Sequence, residues 1–447
     1  MSSSYPPPDS PRAATRTSYP PLLPIYPPPP SALPTPLPSA PPPQPFPNPA
    51  YTVSTHLVPA AYLRSTPPAP PPPPPAAASA PKAERQAQNA LRVAWVAAQA
   101  AGPRGRHARV LWSAVNRYVR TDAADGRGAG RTLFLAHANG FPKEVWEPAL
   151  LDLLARPGPG GAVDEVWAWE ATHHGASCVL NLAAGVPLAA CDWADDARDV
   201  LNFLLHFLPS EIAPGAPLPA HLPRVAPEES ALRKIRGFSE RALFAAGHSF
   251  GGACCTWAAL TYPRLFTALT LVDPVIVRFG TPLEPGPSLA DGAVARRDGW
   301  PSREAAHAAF AASPFFGAWD ARVLAAYVAH GLVPAPGGGG DVRLAMPPLQ
   351  EALVFAGTPS AGRVWDLLPT LEARVPLLWV VPGRAGEPEI GGPGATRERV
   401  WRRPANASNV RVAQAGHLIV QEAPQEMARQ IAGMLAGEWD DKAVAKL

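Results

Sequence analysis

Short apolar runs alternate with amphipathic stretches along most of the chain after residue 130. Most runs are nearly continuous, which is typical of strands buried on both faces of a parallel sheet. Between them, apolar residues recur at three- and four-residue spacing, which predicts helices. We predict strands at Thr132–His137, Glu165–Ala171, Ala242–Ala246, Ala268–Val272, Pro376–Val381 and Asn409–Ala413, and helices at Ala83–Ala101, Asp192–Leu208 and Gln425–Leu435. This alternation indicates βαβ units and a parallel sheet.

The beginning of the chain has a different character, because 30 of its first 81 residues are Pro. Proline lacks an amide N–H and has a fixed φ, so it is unfavourable in helix interiors and central strands. Apolar periodicity there is too weak to offset the entropy of ordering. We therefore predict that residues 1–85 form a disordered proline-rich arm, and that its removal leaves a folded domain at 86–447. The runs Pro27–Pro30 and Pro71–Pro75 suit SH3 or WW domains as partners.

Composition and charge exclude several classes of protein. The chain has 39 basic and 36 acidic residues, a formal net charge of +3, so it lacks the cationic excess of nucleic-acid-binding proteins. No apolar run approaches 18 residues, and the first residues do not resemble a secretory signal, so we expect a soluble intracellular protein without a membrane span. The four Cys and the absence of CxxC and HExxH motifs predict neither a disulfide framework nor a metal site, and no cofactor is expected.

The strongest chemical signal is the sequence GHSFGG at 247–252, between a predicted strand and an apolar, helix-like stretch. Gly-x-Ser-x-Gly in this context predicts a nucleophile elbow, a strained turn that presents the hydroxyl of Ser249. Small residues on both sides are needed where neighbouring chain crowds such a turn. The N–H of Phe250, which opens the following helix, then faces a developing oxyanion. The alternative is a structural glycine-rich turn.

A nucleophilic Ser needs a general base, and His417 is the histidine best placed to supply it. It follows the last predicted strand and precedes a helix, so it can reach over the sheet edge to Ser249. Two carboxylates compete for the role of the acid that orients the imidazole. Asp273 follows the strand Ala268–Val272, and Glu387 lies in the loop after the next predicted strand. We favour Asp273 and keep Glu387 as the alternative.

Taken together, the motifs resemble the α/β-hydrolase family, and within it a fungal group of peroxisomal lipase-like and toxin-biosynthesis hydrolases. The resemblance covers about residues 106–440 and rests on HANGFPKE at 137–144, HGAS at 174–177, GHSFGG at 247–252, VDP at 272–274 and GHLIVQEAP at 416–424. It implies an α/β fold, with a mostly parallel eight-stranded sheet, helices on both faces and a helical cap insertion at about 276–372. It also implies that the backbone N–H of Asn139 completes an oxyanion hole with that of Phe250.

These features predict a serine hydrolase that cleaves carboxylic esters, of lipids or other fatty acyl groups, through an acyl-enzyme on Ser249. An acyl thioesterase is one alternative. Another is a catalytically weak hydrolase fold that acts as an interaction module through its proline-rich arm.

The C-terminal tail, residues 440–447, carries a separate signal. Its last residues, Ala445, Lys446 and Leu447, resemble the Ser-Lys-Leu peroxisomal address. We therefore predict that the peroxisomal import receptor is a partner and that the protein is peroxisomal, with the cytoplasm as the alternative.

Overall fold

A large twisted sheet forms the centre of the molecule. The computed structural model describes residues 3–8, 19, 22–42, 45–76, 80–121, 130–156, 163–214, 217–281, 288–357 and 359–438. Within these residues the strands are β1 (Tyr51–Pro59), β2 (Trp112–Arg120), β3 (Gly130–Ala136), β4 (Glu165–Trp169), β5 (Arg241–His248), β6 (Ala268–Val272), β7 (Gly299–Trp300), β8 (Leu332–Pro334), β9 (Val342–Leu344), β10 (Leu377–Pro382) and β11 (Ala407–Val412).

The described part of the large sheet has eight strands in the order β1-β2-β4-β3-β5-β6-β10-β11. Strand β2 pairs antiparallel with both β1 and β4, and all other neighbouring pairs are parallel. The predicted mostly parallel eight-stranded sheet is therefore confirmed. Six of these strands, β3 to β6, β10 and β11, match the predicted strands within a few residues, because their long apolar runs are buried on both faces.

Helices pack on both faces of the sheet and also form much of the insertion between β6 and β10. In chain order they are α1 (Lys82–Ala101), α2 (Glu147–Leu154), α3 (Gly175–Ala183), α4 (Trp193–His206), α5 (Pro227–Arg236), α6 (Phe250–Thr261), α7 (Leu289–Ala295), α8 (Arg303–Ala311), α9 (Pro314–Gly317), α10 (Ala321–His330), α11 (Pro348–Ala356), α12 (Pro359–Leu367), α13 (Ala395–Val400), α14 (Ile419–Glu422) and α15 (Pro424–Ala436).

Alternating side chains of each central strand belong to two different cores. In β3, Leu133 and Leu135 pack in the core that contains α2 and α15, whereas Phe134 and Ala136 pack in the core that contains α4 and α6. This is the two-residue period of a strand covered on both sides. The arrangement leaves the carboxyl ends of the parallel strands free to carry loops at one edge, where ligands bind in open α/β sheets.

We call the elements α7 to α12 and β7 to β9 the cap, and all of them lie inside the interval 276–372. Besides the predicted helices, the described part of the cap contains a three-stranded antiparallel sheet in the order β7-β9-β8. Strands of two or three residues are too short to leave an alternating apolar pattern, so the sequence did not predict this sheet. Gly337–Gly340 connect β8 to β9, and all four have a positive φ.

Part of the proline-rich N-terminal segment belongs to the sheet, which corrects the prediction that residues 1–85 form a disordered arm. Strand β1 pairs with β2 along its whole length, from Tyr51 opposite Arg120 to Pro59 opposite Trp112. The run YTVSTHLVP contains one Pro, at its last position, and many β-branched residues. The sequence did not predict this strand, because the flanking residues are rich in Pro and dominate the composition of the segment.

The prolines themselves dock through their carbonyl groups. A proline-rich segment has few N–H donors but keeps every C=O acceptor. The donors must therefore come from the rest of the domain outside the cap, which we call the body. Arg198 of α4 donates to the carbonyl oxygen of Pro24 at 2.6 Å, and Arg224 donates to that of Pro28. Pro27 and Pro28 are buried against the body. Residues 22–28 are therefore a strap over α4 rather than a free arm.

Arg64, which follows β1, is bound by carboxylates of α4. Its Nη1 lies 2.7 Å from both carboxylate oxygens of Asp199, and its Nε lies 3.9 Å from Oδ2 of Asp195. All three side chains are at most 2% exposed. Removal of one partner of such a buried pair leaves an uncompensated charge, which costs about 3–5 kcal/mol.

We therefore expect deletion of residues 1–85 to prevent folding or to lower the melting temperature severely. The deletion removes β1 and leaves Asp195 and Asp199 without Arg64. The matched control is deletion of residues 1–50, which keeps both β1 and Arg64 and should melt between the long deletion and the full chain. Thermal unfolding followed by circular dichroism measures this order. An unchanged melting temperature in the long deletion would contradict it.

Candidate active site

Ser249 occupies a strained turn between β5 and α6. Its φ is 55° and its ψ is −116°, a combination that is costly for any residue with a Cβ. The turn is also crowded, because a Cβ on Gly247 would lie 2.7 Å from the carbonyl oxygen of Gly251, and one on Gly251 would lie 2.5 Å from that of His137. Glycine is therefore required on both sides of Ser249, as the sequence motif predicts.

Three predicted site residues lie in one hydrogen-bonded line. His417 is in the loop between β11 and α14, and its Nε2 is 3.0 Å from the hydroxyl of Ser249. The other ring nitrogen, Nδ1, is 2.7 Å from Oδ2 of Asp273, which directly follows β6. In this arrangement Nδ1–H donates to the carboxylate, so Nε2 is free to accept the proton of the hydroxyl.

Asp273 is kept ionised although it is buried, at 2% exposure. Arg399 of α13 donates to its second oxygen, Oδ1, at 2.8 Å. Burial by itself would raise the pKa of Asp273, but the hydrogen bond from His417 and the charge of Arg399 outweigh it and hold the pKa below its ordinary value. The carboxylate therefore has a partner on each oxygen.

Glu387, the alternative acid, does not contact the imidazole ring in the structure. Its Oε1 instead accepts the backbone N–H of His417 at 3.3 Å, and its carboxylate packs against Gly416. Arg384 lies 3.5 Å from its other oxygen. The geometry thus favours Asp273 over Glu387 as the partner of the ring, and Glu387 supports the loop that carries it.

The loop 137–142 lies beside the start of α6. Asn139 is buried in it, and its side-chain oxygen accepts a hydrogen bond from Nε2 of His174 at 2.9 Å. The ring of His174 in turn stacks on Phe250, with centroids 5.6 Å apart. Asn139 and Phe250, whose N–H groups are the predicted oxyanion donors, therefore contact the same histidine.

Two other histidines near Ser249 have structural hydrogen bonds. Nδ1 of His137 donates to the carbonyl of Ala138, and its Nε2 accepts from the N–H of Ala171. Nε2 of His248 donates to the carbonyl of His417 at 3.0 Å. Burial lowers the pKa of His137 to about 4 and that of His248 to about 3, so both rings are neutral at neutral pH.

A small cavity lies between the body and the cap. From the body it is lined by Gly140, Pro142 and Gly175; from the cap, by Arg296, Tyr327, Gly331, Leu344, Ala345, Met346 and Glu351. Within it, Arg296 pairs with Glu351 at 2.5 Å and contacts the hydroxyl of Tyr327 at 3.2 Å. The cavity thus borders the loop that carries Asn139.

Among the described residues, no group of three or more His, Cys, Asp or Glu side chains is arranged to hold a metal ion. In the same residues, no helix is both long enough and apolar enough to cross a membrane.

Arg399 is the functional residue that sequence reasoning missed. It lies in an Arg-rich stretch, 397–403, in which nothing in the sequence distinguishes the side chain that reaches Asp273 from its neighbours. Only the fold brings α13 against the end of β6. A hint was available, because a buried Asp after a central strand requires a compensating donor.

Comparison with protein families gives a match over most of the domain. The model of the family described as "Alpha/beta hydrolase family" matches residues 133–430. This interval contains Ser249, Asp273 and His417 as well as the loop 137–142.

Among curated proteins, the chain is similar to fungal enzymes and to a yeast protein. It is 33% identical over 181 residues to "Type I acyl-CoA thioesterase mpaH" of Penicillium roqueforti, a match that covers 39% of this chain and 34% of the relative. It is 30% identical over 146 residues to "Peroxisomal membrane protein LPX1" of Saccharomyces cerevisiae, covering 32% and 31%. The matches therefore span about a third of the length of these curated relatives.

Among solved structures, the peroxisomal alpha-beta-hydrolase Lpx1 of Saccharomyces cerevisiae superposes with a TM-score of 0.61. The match covers 88% of this chain and 90% of the yeast chain at 18% sequence identity. At this identity the likeness establishes the fold.

The two carboxylates can be compared directly. We expect Asp273→Asn to lower kcat by about 10⁴-fold on an ester substrate, because the amide no longer favours the required tautomer and charge of His417. Glu387→Gln is the matched control and should change kcat by less than about tenfold, since it keeps an acceptor for the backbone N–H of His417. Steady-state kinetics of both variants measure the difference. A larger loss with Glu387→Gln would assign the role to the other residue.

Proposed function

The chain belongs to the α/β-hydrolase family, and we propose that it is a serine hydrolase that cleaves carboxylic esters through an acyl-enzyme on Ser249. The observation that carries this proposal is the unbroken hydrogen-bonded line from Ser249 through His417 to Asp273, at 3.0 and 2.7 Å. A nucleophile, a base and an orienting acid at these distances are the requirements of acyl transfer.

The chemistry follows from these positions. The oxygen of Ser249 attacks the carbonyl carbon of the ester while its proton passes to Nε2 of His417, and the carbonyl π electrons move onto oxygen. The tetrahedral intermediate then collapses, the bond to the leaving alcohol breaks, and His417 returns the proton to that alcohol. Water repeats both steps on the acyl-enzyme and releases the acid and Ser249. Throughout, the charge of Asp273 stabilises the imidazolium.

We further propose that the N–H groups of Phe250 and Asn139 bind the oxyanion. The N–H of Phe250 is the first of α6 and follows the nucleophile directly, a position where the helix dipole also favours negative charge. Asn139 shares the contact with His174 described above. A correctly placed donor of this kind accounts for about 10²–10³-fold in kcat.

An acyl thioester is the second candidate substrate. The support is the name of the Penicillium relatives, which are called acyl-CoA thioesterases. The same three residues can attack a thioester, and a thiol is an easier leaving group than an alcohol.

We keep the interaction module as an alternative proposal, but only one of its two proline runs is accessible to a partner over its whole length. Pro27 and Pro28 are buried in the strap, whereas Pro71–Pro75 are partly or fully exposed. An SH3 or WW partner is therefore proposed only for the second run. The complete hydrogen-bonded line from Ser249 to Asp273 supports an active enzyme whether or not such a partner binds.

We expect the unaltered protein to hydrolyse p-nitrophenyl acyl esters, and Ser249→Ala and His417→Ala each to lower kcat by about 10⁴-fold or more. An acyl-CoA is assayed alongside the esters. The substrate class with the higher kcat/KM is then the preferred one. Ser113→Ala, at a buried Ser of β2, and His307→Ala, at an exposed His of α8, are the matched controls. Near-normal turnover in either site variant would exclude the mechanism.

We also propose a peroxisomal location. Ala445, Lys446 and Leu447 lie outside the described residues, so the support is the sequence of the tail and the peroxisomal names of the yeast relatives. A fluorescent protein fused to the N-terminus should give a punctate signal that coincides with a peroxisomal marker. Deletion of Leu447 should make the signal diffuse, since the address is read at the terminal carboxylate. A diffuse signal with the intact tail would contradict the proposal and favour the cytoplasm.

A further inference from the structure

Glu170, between β4 and α3, connects the two loops that flank the proposed oxyanion hole. Its Oε1 accepts the backbone N–H of Lys143 at 3.3 Å and lies 3.5 Å from the Nζ of the same residue. Its Oε2 accepts the N–H of Ser177 at 2.8 Å and the hydroxyl of Ser177 at 3.1 Å. One carboxylate therefore joins the end of loop 137–142 to the first turn of α3.

The first turn of α3 also positions His174. This residue directly precedes α3, donates to the side chain of Asn139 and stacks on Phe250. Gly175 has a φ of 43°, and a Cβ there would lie 2.1 Å from Oε1 of Glu170. The carboxylate thus occupies the space that a side chain at position 175 would need, next to the residue that contacts both Asn139 and Phe250.

The cluster around Glu170 contains two carboxylates, Glu144 and Glu170, but only one ammonium group, that of Lys143. Lys143 already has Glu144 at 2.8 Å, and the exposed fractions of the three side chains are 2%, 8% and 0% for Lys143, Glu144 and Glu170. Burial raises the pKa of Glu170, Lys143 lowers it and Glu144 raises it, with a net increase. A second buried carboxylate on one ammonium group costs stability. The presence of this second carboxylate, despite its cost, points to a role in function.

We propose that Glu170 is a positioning residue, which fixes loop 137–142 against α3 and thereby aligns the N–H groups of Asn139 and Phe250 for the oxyanion. This inference rests on the proposed function of Ser249. This role requires that both carboxylate oxygens of Glu170 accept hydrogen bonds, because Lys143 donates to one oxygen and Ser177 donates to the other. A glutamine has one acceptor oxygen and one amide group, so it can satisfy only one of the two loops.

The test compares a p-nitrophenyl ester with the corresponding thionoester, in which sulfur replaces the carbonyl oxygen. Sulfur is a weak hydrogen-bond acceptor, so the thionoester gains less from the oxyanion hole than the ester does. We take the ratio of kcat/KM for the ester to kcat/KM for the thionoester. This ratio reports how well the oxyanion hole is aligned, and a general loss of folded protein cancels from it. We expect Glu170→Gln and Glu170→Asp each to lower this ratio by about tenfold or more, since aspartate keeps the charge but is too short to reach both loops.

Glu147→Gln is the matched control. Glu147 is a neighbouring, partly buried carboxylate that accepts the hydroxyl of Tyr118 at 2.7 Å, and among the described residues it has no hydrogen bond to loop 137–142 or α3. Its ratio should equal that of the unaltered protein. An unchanged ratio in Glu170→Gln, a ratio restored by Glu170→Asp, or an equal fall in Glu147→Gln would each overturn the inference. Failure of the unaltered protein to hydrolyse the ester would instead refute the proposed function.

If neither Glu170 variant folds, the unaltered protein supplies the measurement. The titratable groups that face Glu170 are Lys143, Glu144 and, on α3, Cys178, whose pKa is raised to about 12 by burial. Protonation converts one carboxylate oxygen of Glu170 into a donor, as in the glutamine variant. The ratio should therefore fall as the pH is lowered through the raised pKa of Glu170. A pH effect that is common to both substrates cancels from the ratio. A ratio independent of pH down to the acid unfolding limit would overturn the inference.

Discussion

The arrangement at Ser249 depends on one buried carboxylate. Asp273 is withdrawn from water, which opposes its charge, and it stays ionised because Arg399 binds one oxygen and His417 the other. Each partner also fixes the direction of the carboxylate, so the ring of His417 has a single favourable orientation. In that orientation its second nitrogen points to the hydroxyl of Ser249. Loss of Arg399 would leave the buried carboxylate with a single partner, so both its charge and the direction of the imidazole would be less well fixed.

The sheet supplies the distances that this interaction needs. Ser249 and Asp273 follow the adjacent strands β5 and β6, and the two turns are hydrogen-bonded to each other: the N–H of Ser249 donates to Val272, and the N–H of Val275 donates to Ser249. His417 comes from the loop after the edge strand and crosses to them, with its backbone N–H held by Glu387. Strained backbone at Ser249 and Asp273, both with a positive φ, is sustained by this surrounding framework.

The sequence predicts those features that are local. The apolar runs of the parallel strands, the glycines around Ser249 and the loop histidine after the last strand are all encoded within a few neighbouring residues. The choice between Asp273 and Glu387 could be favoured but not decided, because it depends on which loop faces the ring. Arg399 and Glu170 could not be assigned at all, since their partners are distant in the chain. Strand β1 was missed for a different reason: its nine residues lie within a segment whose prolines dominate the composition, and its stability comes from pairing with β2 and from the buried Arg64.

The central claim is that Ser249 forms a covalent acyl-enzyme. The most direct measurement is mass spectrometry of the protein quenched with acid during turnover of a slowly hydrolysed ester, followed by proteolysis and mapping of the acylated peptide. The account predicts a mass increase equal to one acyl group, located on Ser249. The same increase should be absent from Ser249→Ala. A protein that turns over the ester with no adduct, or with the adduct on another residue, would contradict the account.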